Sequence, residues 1–320
     1  MYSVEPKDLE IRRRHGLLLG GVGPRPIAFV STLSKDGDNN LAPFSFFNAF
    51  GANPPTIAFS PARRGRDNTT KDTYHNLLDT RECVVHAVTY DMVQKTNLAS
   101  GEYPSNVDEF IKAGFTPIDS DLVKPKRVKE SPFHLECKLI DMVSLGTGGG
   151  AGNLAICEVI KYHISEDIMT DDIIDPRKID LVGRNGGNYY TRANGDALFQ
   201  LAQPGKDYGM GYDNLPRHIK QSEIYSANDI GKLANWKVIP NIADVLVKVN
   251  NIAPIEASKE NFERQERLKD YKLMFAIALS FEKQGQLLKA YFERTVKTAL
   301  LFDDKEFAWE VAVYLGSRGQ

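Results

Sequence analysis

The sequence predicts a mainly β fold, a closed or partly closed antiparallel barrel followed by an α-helical region. Short β-branched and aromatic runs separated by turn residues dominate residues 20 to about 200. The βαβ alternation of a parallel sheet does not appear, and no predicted strand is followed by a convincing G-x-G-x-x-G. From about residue 215 apolar residues recur at helical spacing instead. We therefore expect two domains, residues 1–204 and 205–320, joined by a linker at 203–211.

Each predicted strand has its own local signal. Residues 26–33 form a β-branched and aromatic run that ends at the turn residues 35–38. Apolar and polar residues alternate over 133–139 with the period of two that is typical of a half-buried strand. The other predicted strands are 41–47, 56–60, 83–89 and 154–164.

Helices are predicted at about 70–79, 91–98 and 106–112 in the first domain. Thr69 or Thr70 is expected to cap the first of them. In the second domain we predict helices at 262–284, 287–303 and 305–315, which carry apolar stripes opposite charged faces.

Composition excludes several classes of function. A formal net charge of −2 argues against general attraction to nucleic acid or to acidic membranes. Three widely spaced cysteines indicate buried thiols in a reducing, cytoplasmic setting rather than a disulfide framework. The N-terminus lacks the apolar core of a signal peptide. The six histidines show neither i, i+4 pairing nor a cluster with cysteine, so no metal site is expected.

An uncharged run covers residues 39–62, long enough to cross a bilayer. Its four prolines and its asparagines exclude a membrane helix, because they would leave backbone and amide groups without partners in lipid. Ser45 and Asn48 are polar exceptions within its aromatic stretch. They either pair with turn backbone or face a polar ligand held against apolar walls.

Four other segments are candidates for binding. The cationic turn and helix start at 61–73 form a possible phosphate site, although such basic loops are usually solvated. Adjacent hydroxyls, Ser31 and Thr32, end an apolar strand. The glycine-rich segment 146–153 is either a flexible turn or a loop that admits a planar ligand, and 183–190 joins a cation to aromatic residues in a turn.

Taken in order, these segments resemble the flavin reductase-like family, which has the FMN-binding split-barrel fold. The resemblance runs from about residue 23 to 190 and is carried by PRPIAFVST, NLAPFSFFNAFGANPPTIAFS, KDTYHN, FHLECKL, LAICEV and GRNGGNYY. It implies a small antiparallel barrel that forms a homodimer and binds FMN near the subunit interface. Family members reduce flavin with NADH or NADPH or, like flavoredoxin, carry electrons on FMN.

The resemblance also implies cofactor contacts by position. The isoalloxazine edge would lie along Ser31 and Thr32. The ribityl chain and phosphate would meet Ser45 and Asn48, and the adjoining wall would be Ala42, Pro43 and Phe46. The phosphate would be held by Lys71 and Thr73, with Asp72 between them. Arg184 would approach the ring or a dinucleotide from the far side, and Ser60 and Arg63 are further cofactor candidates.

One departure from the family pattern bears on activity. Many members have a Gly-Asp-His element before the strand at 154–159, whereas this chain has Gly-Ala-Gly-Asn at 150–153. The missing histidine weakens the expectation of efficient NAD(P)H turnover more than that of FMN binding. We predict an FMN-dependent oxidoreductase that takes hydride from NAD(P)H and passes electrons to free flavin, a monooxygenase or another acceptor. The alternatives are an FMN electron carrier reduced by a partner, and a ligand-binding scaffold whose helical region recruits a partner.

Overall fold

The computed structural model of the chain describes residues 1–201, 203, 205–206, 208–253, 255–256 and 258–318. Within it the chain forms two compact units, Met1–Gln200 and Leu201–Gln320. Part of the expected linker at 203–211, namely Pro204 and Asp207, lies outside the described residues.

Unit 1 is built on a seven-stranded antiparallel sheet with the order β2-β1-β5-β8-β9-β4-β3. The antiparallel prediction is confirmed. Three small two-stranded sheets accompany it, and one of them pairs β12 with β13. The strands are β1 (Ala28–Leu33), β2 (Asn39–Phe44), β3 (Phe47–Ala52), β4 (Pro55–Phe59), β5 (Glu82–His86), β6 (Pro117–Ile118), β7 (Arg127–Val128), β8 (Phe133–Ser144), β9 (Asn153–Ile164), β10 (Met169–Thr170), β11 (Ile173–Ile174), β12 (Val182–Arg184) and β13 (Tyr190–Arg192).

The edges of the main sheet, β2 and β3, are consecutive in the chain. Only Ser45 and Phe46 separate them, so the single strand predicted for residues 41–47 is wrong. Phe44 and Phe47 are three residues apart, which limits their separation to about 11 Å. The two edges must therefore come close together at this point, and the sheet curls into a barrel that does not close by hydrogen bonds there.

Strand β1 is covered on both faces, which explains its almost unbroken apolar run. Ala28, Phe29 and Val30 have no exposed surface. Ala28 and Val30 belong to the apolar cluster inside the barrel, whereas Phe29 packs in a second cluster on the opposite face, where its ring lies 5.1 Å from that of Phe115. A strand with both faces buried needs apolar residues at consecutive positions rather than alternation.

The α-helices of unit 1 include the three predicted, with shifted boundaries, and two that were not predicted. They are α1 (Ile11–Gly21), α2 (Asp72–Thr80), α3 (Val93–Ala99), α4 (Glu109–Ala113) and α5 (Pro176–Ile179). The predicted cap of α2 is wrong, because its N-cap residue is Lys71. The hydroxyl of Thr69 donates to Asp67 instead, and that of Thr70 contacts His75. Helix α1 was not predicted, since none of its residues is buried and no apolar stripe marks it.

Unit 2 is a packed helical region, as predicted. Its helices are α6 (Arg217–Lys220), α7 (Ala227–Ala234), α8 (Ile242–Asn250), α9 (Lys259–Leu268), α10 (Tyr271–Lys283), α11 (Lys289–Leu301) and α12 (Lys305–Arg318). The continuous helix predicted for 262–284 is wrong. Lys269 adopts a left-handed conformation (φ 60°), and the carboxylate of Asp270 accepts the N–H of Leu273 to cap a new helix. Among the described residues no helix is both long and apolar enough to cross a membrane.

Candidate functional site

Three adjoining cavities in unit 1 form one groove. We name them the Lys71, Ser45 and Tyr90 cavities, with volumes of about 140, 220 and 490 Å³. The first two share Pro43 and Ser100, and the last two share four residues, Val93, Asn97, Arg184 and Tyr190. The groove therefore joins the segment around Lys71 to the turn before β13.

The Lys71 cavity lies at the start of α2. Its lining residues are Asn40, Ala42, Pro43, Arg64, Lys71, Asp72, Thr73, Ala99, Ser100, Gly101, Glu102, Tyr103 and Glu109. Burial lowers the pKa of Lys71, and the neighbouring Arg64 lowers it further. The nearby carboxylate of Glu102 pairs with Arg66 at 2.6 Å and with Arg64 at 3.8 Å. No side chain caps α2 at Lys71, so the first-turn N–H groups and the helix dipole favour an anion here.

A buried amide network supports this cavity from behind. The Asn40 side-chain amide donates to the hydroxyls of Thr73 and Thr32, both at 2.9 Å. Asn76 donates to the same Thr32 oxygen at 3.0 Å. Thr32 is 1% exposed and lies behind Asn40 and Thr73 rather than on the cavity wall. It therefore positions residues of the cavity.

The Ser45 cavity lies between the end of β2 and α3. Ser45 lies in the link between β2 and β3, and α3 and β12 supply the facing wall. Arg184 is the only charged residue among those that line it: Ile27, Pro43, Ser45, Val93, Thr96, Asn97, Ser100, Arg184 and Tyr190. Most of these residues carry polar groups, and Ile27, Pro43 and Val93 supply the apolar part of the wall.

The glycine-rich segment 146–153 packs against the cationic turn before α2. The Arg63 N–H donates to the Ala151 carbonyl, and the Gly150 N–H donates to the Arg63 carbonyl. A Cβ at Gly149 would lie 3.0 Å from the Gly65 carbonyl oxygen. The glycine is needed for close backbone approach, which holds the turn that carries Arg64.

Seven of the thirteen predicted cofactor residues line the groove: Ala42, Pro43, Ser45, Lys71, Asp72, Thr73 and Arg184. The residues that do not line it are Ser31, Thr32, Phe46, Asn48, Ser60 and Arg63. Whether any of the thirteen contacts a flavin stays a prediction.

Several residues outside the groove have structural partners. Ser31 is fully buried, and its hydroxyl donates to the Lys126 carbonyl at 2.6 Å. The Ser60 hydroxyl accepts the Asn153 N–H at 3.1 Å.

The side chains of Arg63, Asn48 and Phe46 also lie away from the groove. The Arg63 guanidinium holds Asn68, with bonds of 2.6 and 2.8 Å. Asn48 is exposed on β3, where its side-chain oxygen accepts the N–H of Ala49. The ring of Phe46 meets the His15 ring edge-on at 6.3 Å.

Four residues that line the groove are not among those predicted from the sequence: Asn40, Arg64, Asn97 and Tyr190. Arg64 and Tyr190 lie in motifs that were noted, but nothing in those motifs distinguishes them from their neighbours. Asn97 reaches the groove because α3 packs on β2. Only the fold brings it near Ser45.

A separate apolar cavity of about 460 Å³ lies on the other side of the groove wall, with Ile27 and Val182 lining both spaces. Arg25 also lines it and is 6% exposed. Its guanidinium donates to the carbonyls of Leu19, Val22 and Asn185. The Nε of Arg25 is buried without a hydrogen-bond partner, but most of the residues that line this cavity are apolar, so it is the weaker candidate for chemistry.

The other titratable groups buried in the barrel have internal partners. Burial lowers the pKa of His86 to about 3, and its two ring nitrogens contact the Phe29 carbonyl and the Val128 N–H. Asp121, Glu136 and His163 approach one another closely, but Lys161 pairs with Asp121, and Glu136 accepts two backbone N–H groups. These contacts account for the group without an ion.

Comparison with known proteins identifies the family. Residues 21–179 match the model of the flavin reductase like domain. An uncharacterized protein of Aquifex aeolicus is 41% identical over 186 residues, which is 58% of this chain and 92% of that protein. The chain belongs to the flavin reductase-like family.

Solved structures agree with that assignment. Nitrilotriacetate monooxygenase component B from Bacillus cereus is 31% identical, with a TM-score of 0.58, over 63% of this chain and 98% of that chain. A split barrel domain protein from Shewanella frigidimarina is 25% identical, with a TM-score of 0.53, over 62% and 96%. The fold is a split β-barrel followed by a C-terminal α-helical region.

Proposed function

We propose that this chain binds FMN in the groove and transfers hydride from NAD(P)H to flavin. The observation that carries the proposal is the continuity of the groove, from the cationic start of α2 to Ser45 in the link between β2 and β3. Lys71, Arg64 and the first-turn amides of α2 suit a phosphate. In the Ser45 cavity, Pro43, Ile27 and Val93 offer apolar surface to a planar ring, and the surrounding hydroxyl and amide groups offer hydrogen bonds to its polar edge.

Bound flavin supplies the hydride chemistry, so the protein's task is to bind, orient and shield. Lys71 and Arg64 would neutralise the phosphate, and Thr73, fixed by Asn40, would keep the start of α2 in place. Pro43 at the junction of two cavities would exclude water from one face of the ring. No nucleophile or paired carboxylate is required for this chemistry.

The assembly belongs to the same proposal. Strand β3 is a sheet edge whose residues Asn48–Ala52 are exposed and uncharged, and Phe50 is 68% exposed. Such an edge in a folded protein is usually covered. We propose a homodimer in which a second copy covers it. The name of the Bacillus cereus protein supports a monooxygenase as one acceptor of reduced flavin.

An FMN electron carrier is the second candidate, and a specific observation favours it. No histidine lines any of the three cavities in the described part of the chain. In the segment 150–153, where the family pattern has Gly-Asp-His, Asn153 is buried and its side chain donates to the Pro61 carbonyl. A scaffold whose helical unit recruits a partner remains the third candidate.

The domain boundaries and the cellular location are also proposals. The two compact units support separate domains at 1–204 and 205–320. The thiols of Cys83, Cys137 and Cys157 are free and buried, which supports a reducing, cytoplasmic location.

An anaerobic titration tests the function. Wild-type protein should quench FMN fluorescence on binding, and NADH or NADPH should bleach the bound flavin. Bleaching by neither nucleotide would favour the carrier, and failure to bind FMN would eliminate both redox functions. Lys71→Ala should weaken FMN binding by about tenfold or more, because a charge-assisted phosphate contact is lost, while riboflavin binding changes little. The exposed Lys129→Ala is the matched control.

A further inference from the structure

Glu109 is a buried carboxyl group in the wall of the Lys71 cavity, and the proposed function does not use it. It lies in the first turn of α4 and is 8% exposed. Its Oε2 accepts the backbone N–H of Leu41 on β2 at 2.9 Å. A buried carboxylate is costly unless a cation or several donors compensate it, so its place in a site that suits an anion calls for an explanation.

The charges that line the Lys71 cavity do not suit a phosphate if every carboxyl group is ionised. Arg64 and Lys71 supply two positive charges, whereas Asp72, Glu102 and Glu109 would supply three negative ones. A phosphate dianion that entered this cavity would therefore be repelled by an excess of negative charge. Neutralising one of the three carboxyl groups would remove the excess.

The three carboxyl groups differ in what stabilises their charge. Glu102 is exposed and pairs with Arg66 and Arg64. Asp72 lies in the first turn of α2, where the helix dipole favours a negative charge. Glu109 has no lysine or arginine at ion-pair distance in the described part of the chain. It is therefore the group that binds a proton most readily.

The elements packed on α4 supply no cation to Glu109 either. On α3, the ammonium of Lys95 donates to the Gly114 carbonyl at the opposite end of α4, at 2.6 Å. Strand β2 has no charged residue. The hydroxyl of Tyr103, which also lines the cavity, donates to the Leu98 carbonyl.

The surroundings of Glu109 already favour its neutral form. Burial raises the pKa of Glu109, the N–H of Leu41 opposes this effect, and the charges of Asp108 and Asp72 raise the pKa further. A phosphate beside Lys71 would act in the same direction as these two aspartates, because like charges disfavour ionisation.

We propose that Glu109 takes up a proton from solvent when the phosphate of FMN binds in the Lys71 cavity, and that the resulting carboxylic acid donates a hydrogen bond to the phosphate. The neutral acid keeps a carbonyl oxygen that can accept the Leu41 N–H, and it gains an O–H donor. The inference rests on the proposed function and adds a proton linkage to cofactor binding. The bound form holds the additional proton, so FMN affinity should fall as the pH rises. The fall should reach up to about tenfold per pH unit between the pKa of Glu109 without FMN and its higher pKa with FMN.

The test counts the protons that the full chain takes up on binding FMN. Calorimetric titrations between about pH 7 and 8, in two buffers of different ionisation enthalpy, give this number. The second pKa of a phosphate monoester is about 6, so FMN itself can contribute only a small release of protons. We expect a net uptake of about half a proton or more per FMN within this range, and none with riboflavin, which has no phosphate.

Glu109→Gln imitates the protonated acid, because its amide offers a carbonyl oxygen to Leu41 and N–H donors to the phosphate. In this variant the proton uptake should disappear. At about pH 8 its affinity for FMN should equal or exceed that of the wild type, and the decrease with pH should be shallower. Glu166→Gln, at an exposed position of unit 1, is the matched control and should behave as wild type.

Any of three results overturns the inference: no net proton uptake by the wild type, equal uptake with FMN and riboflavin, or uptake that persists in Glu109→Gln. The last result would place the proton on Lys71, whose pKa burial lowers. If Glu109→Gln does not fold, the comparison of FMN with riboflavin in the wild type decides. If FMN binds without proton uptake, only the role of Glu109 is refuted, whereas failure to bind FMN refutes the proposed function as well.

Discussion

Replacing Thr32 with valine separates a positioning role from a direct flavin contact. The change preserves side-chain shape and removes the oxygen that accepts the amides of Asn40 and Asn76 at 2.9 and 3.0 Å. Each buried donor left without a partner costs about 1–3 kcal/mol. Two such donors predict a loss of about 2–4 kcal/mol in the free energy of unfolding of unit 1, allowing for partial relaxation.

The measurement is urea unfolding of flavin-free protein followed by far-UV circular dichroism, with FMN titration of the folded variant. Thr147→Val, at an exposed position in the glycine-rich segment, is the matched control and should change stability by less than about 0.5 kcal/mol. Thr32→Ser, which keeps the oxygen, should recover most of the loss. FMN affinity should fall less in Thr32→Val than in Lys71→Ala.

Unchanged stability in Thr32→Val would refute the network as a source of stability. If FMN affinity then also fell as far as in Lys71→Ala, Thr32 would contact the cofactor directly. In that case Thr32 would lie along the flavin, as the family resemblance implies. Its place behind Asn40 and Thr73 would then not be kept in the flavin-bound protein.

Three further predictions concern His86, Gly149 and Phe50. Burial lowers the pKa of His86 to about 3 in the folded protein, whereas the pKa of an exposed histidine is about 6.5. Between these two pH values the unfolded chain therefore binds a proton at His86 that the folded protein does not bind. Stability should therefore fall by up to about 1.4 kcal/mol per pH unit as the solution is acidified through this window, and urea unfolding of His86→Gln should show a shallower dependence. Gly149→Ala should cost about 1–3 kcal/mol and weaken FMN binding, because its Cβ would meet the Gly65 carbonyl at 3.0 Å; Gly148→Ala, with nothing within 4 Å, should do neither. Phe50→Lys should convert a dimer to a monomer in sedimentation velocity, and a variant that sediments as wild type would remove β3 from the interface.

Local sequence patterns predicted the elements that depend on near neighbours. Most strands of the main sheet follow from short β-branched runs between turns, and α10 to α12 follow from apolar stripes. The start of α2 beside Lys71 was also visible, because charge and hydroxyl residues cluster there within a few positions. Local patterns failed where a single residue decided a boundary, as at Lys269, whose left-handed conformation divides α9 from α10.

The sequence by itself therefore determined a largely antiparallel barrel, a helical region after it, and the cationic segment that suits a phosphate. Only the tertiary structure decided which polar residues face a common space. Thr32 and Ser31 are adjacent in the chain, yet each bonds to a different distant segment, and neither lies on the groove. Asn97 and Tyr190 line the same cavity as Ser45 although they lie 52 and 145 residues further along the chain. They do so because α3 packs on β2, and because β12, the partner of β13, is bridged to Arg25. Local sequence determines which strand or helix a residue belongs to, whereas the packing of distant elements determines which side chains meet.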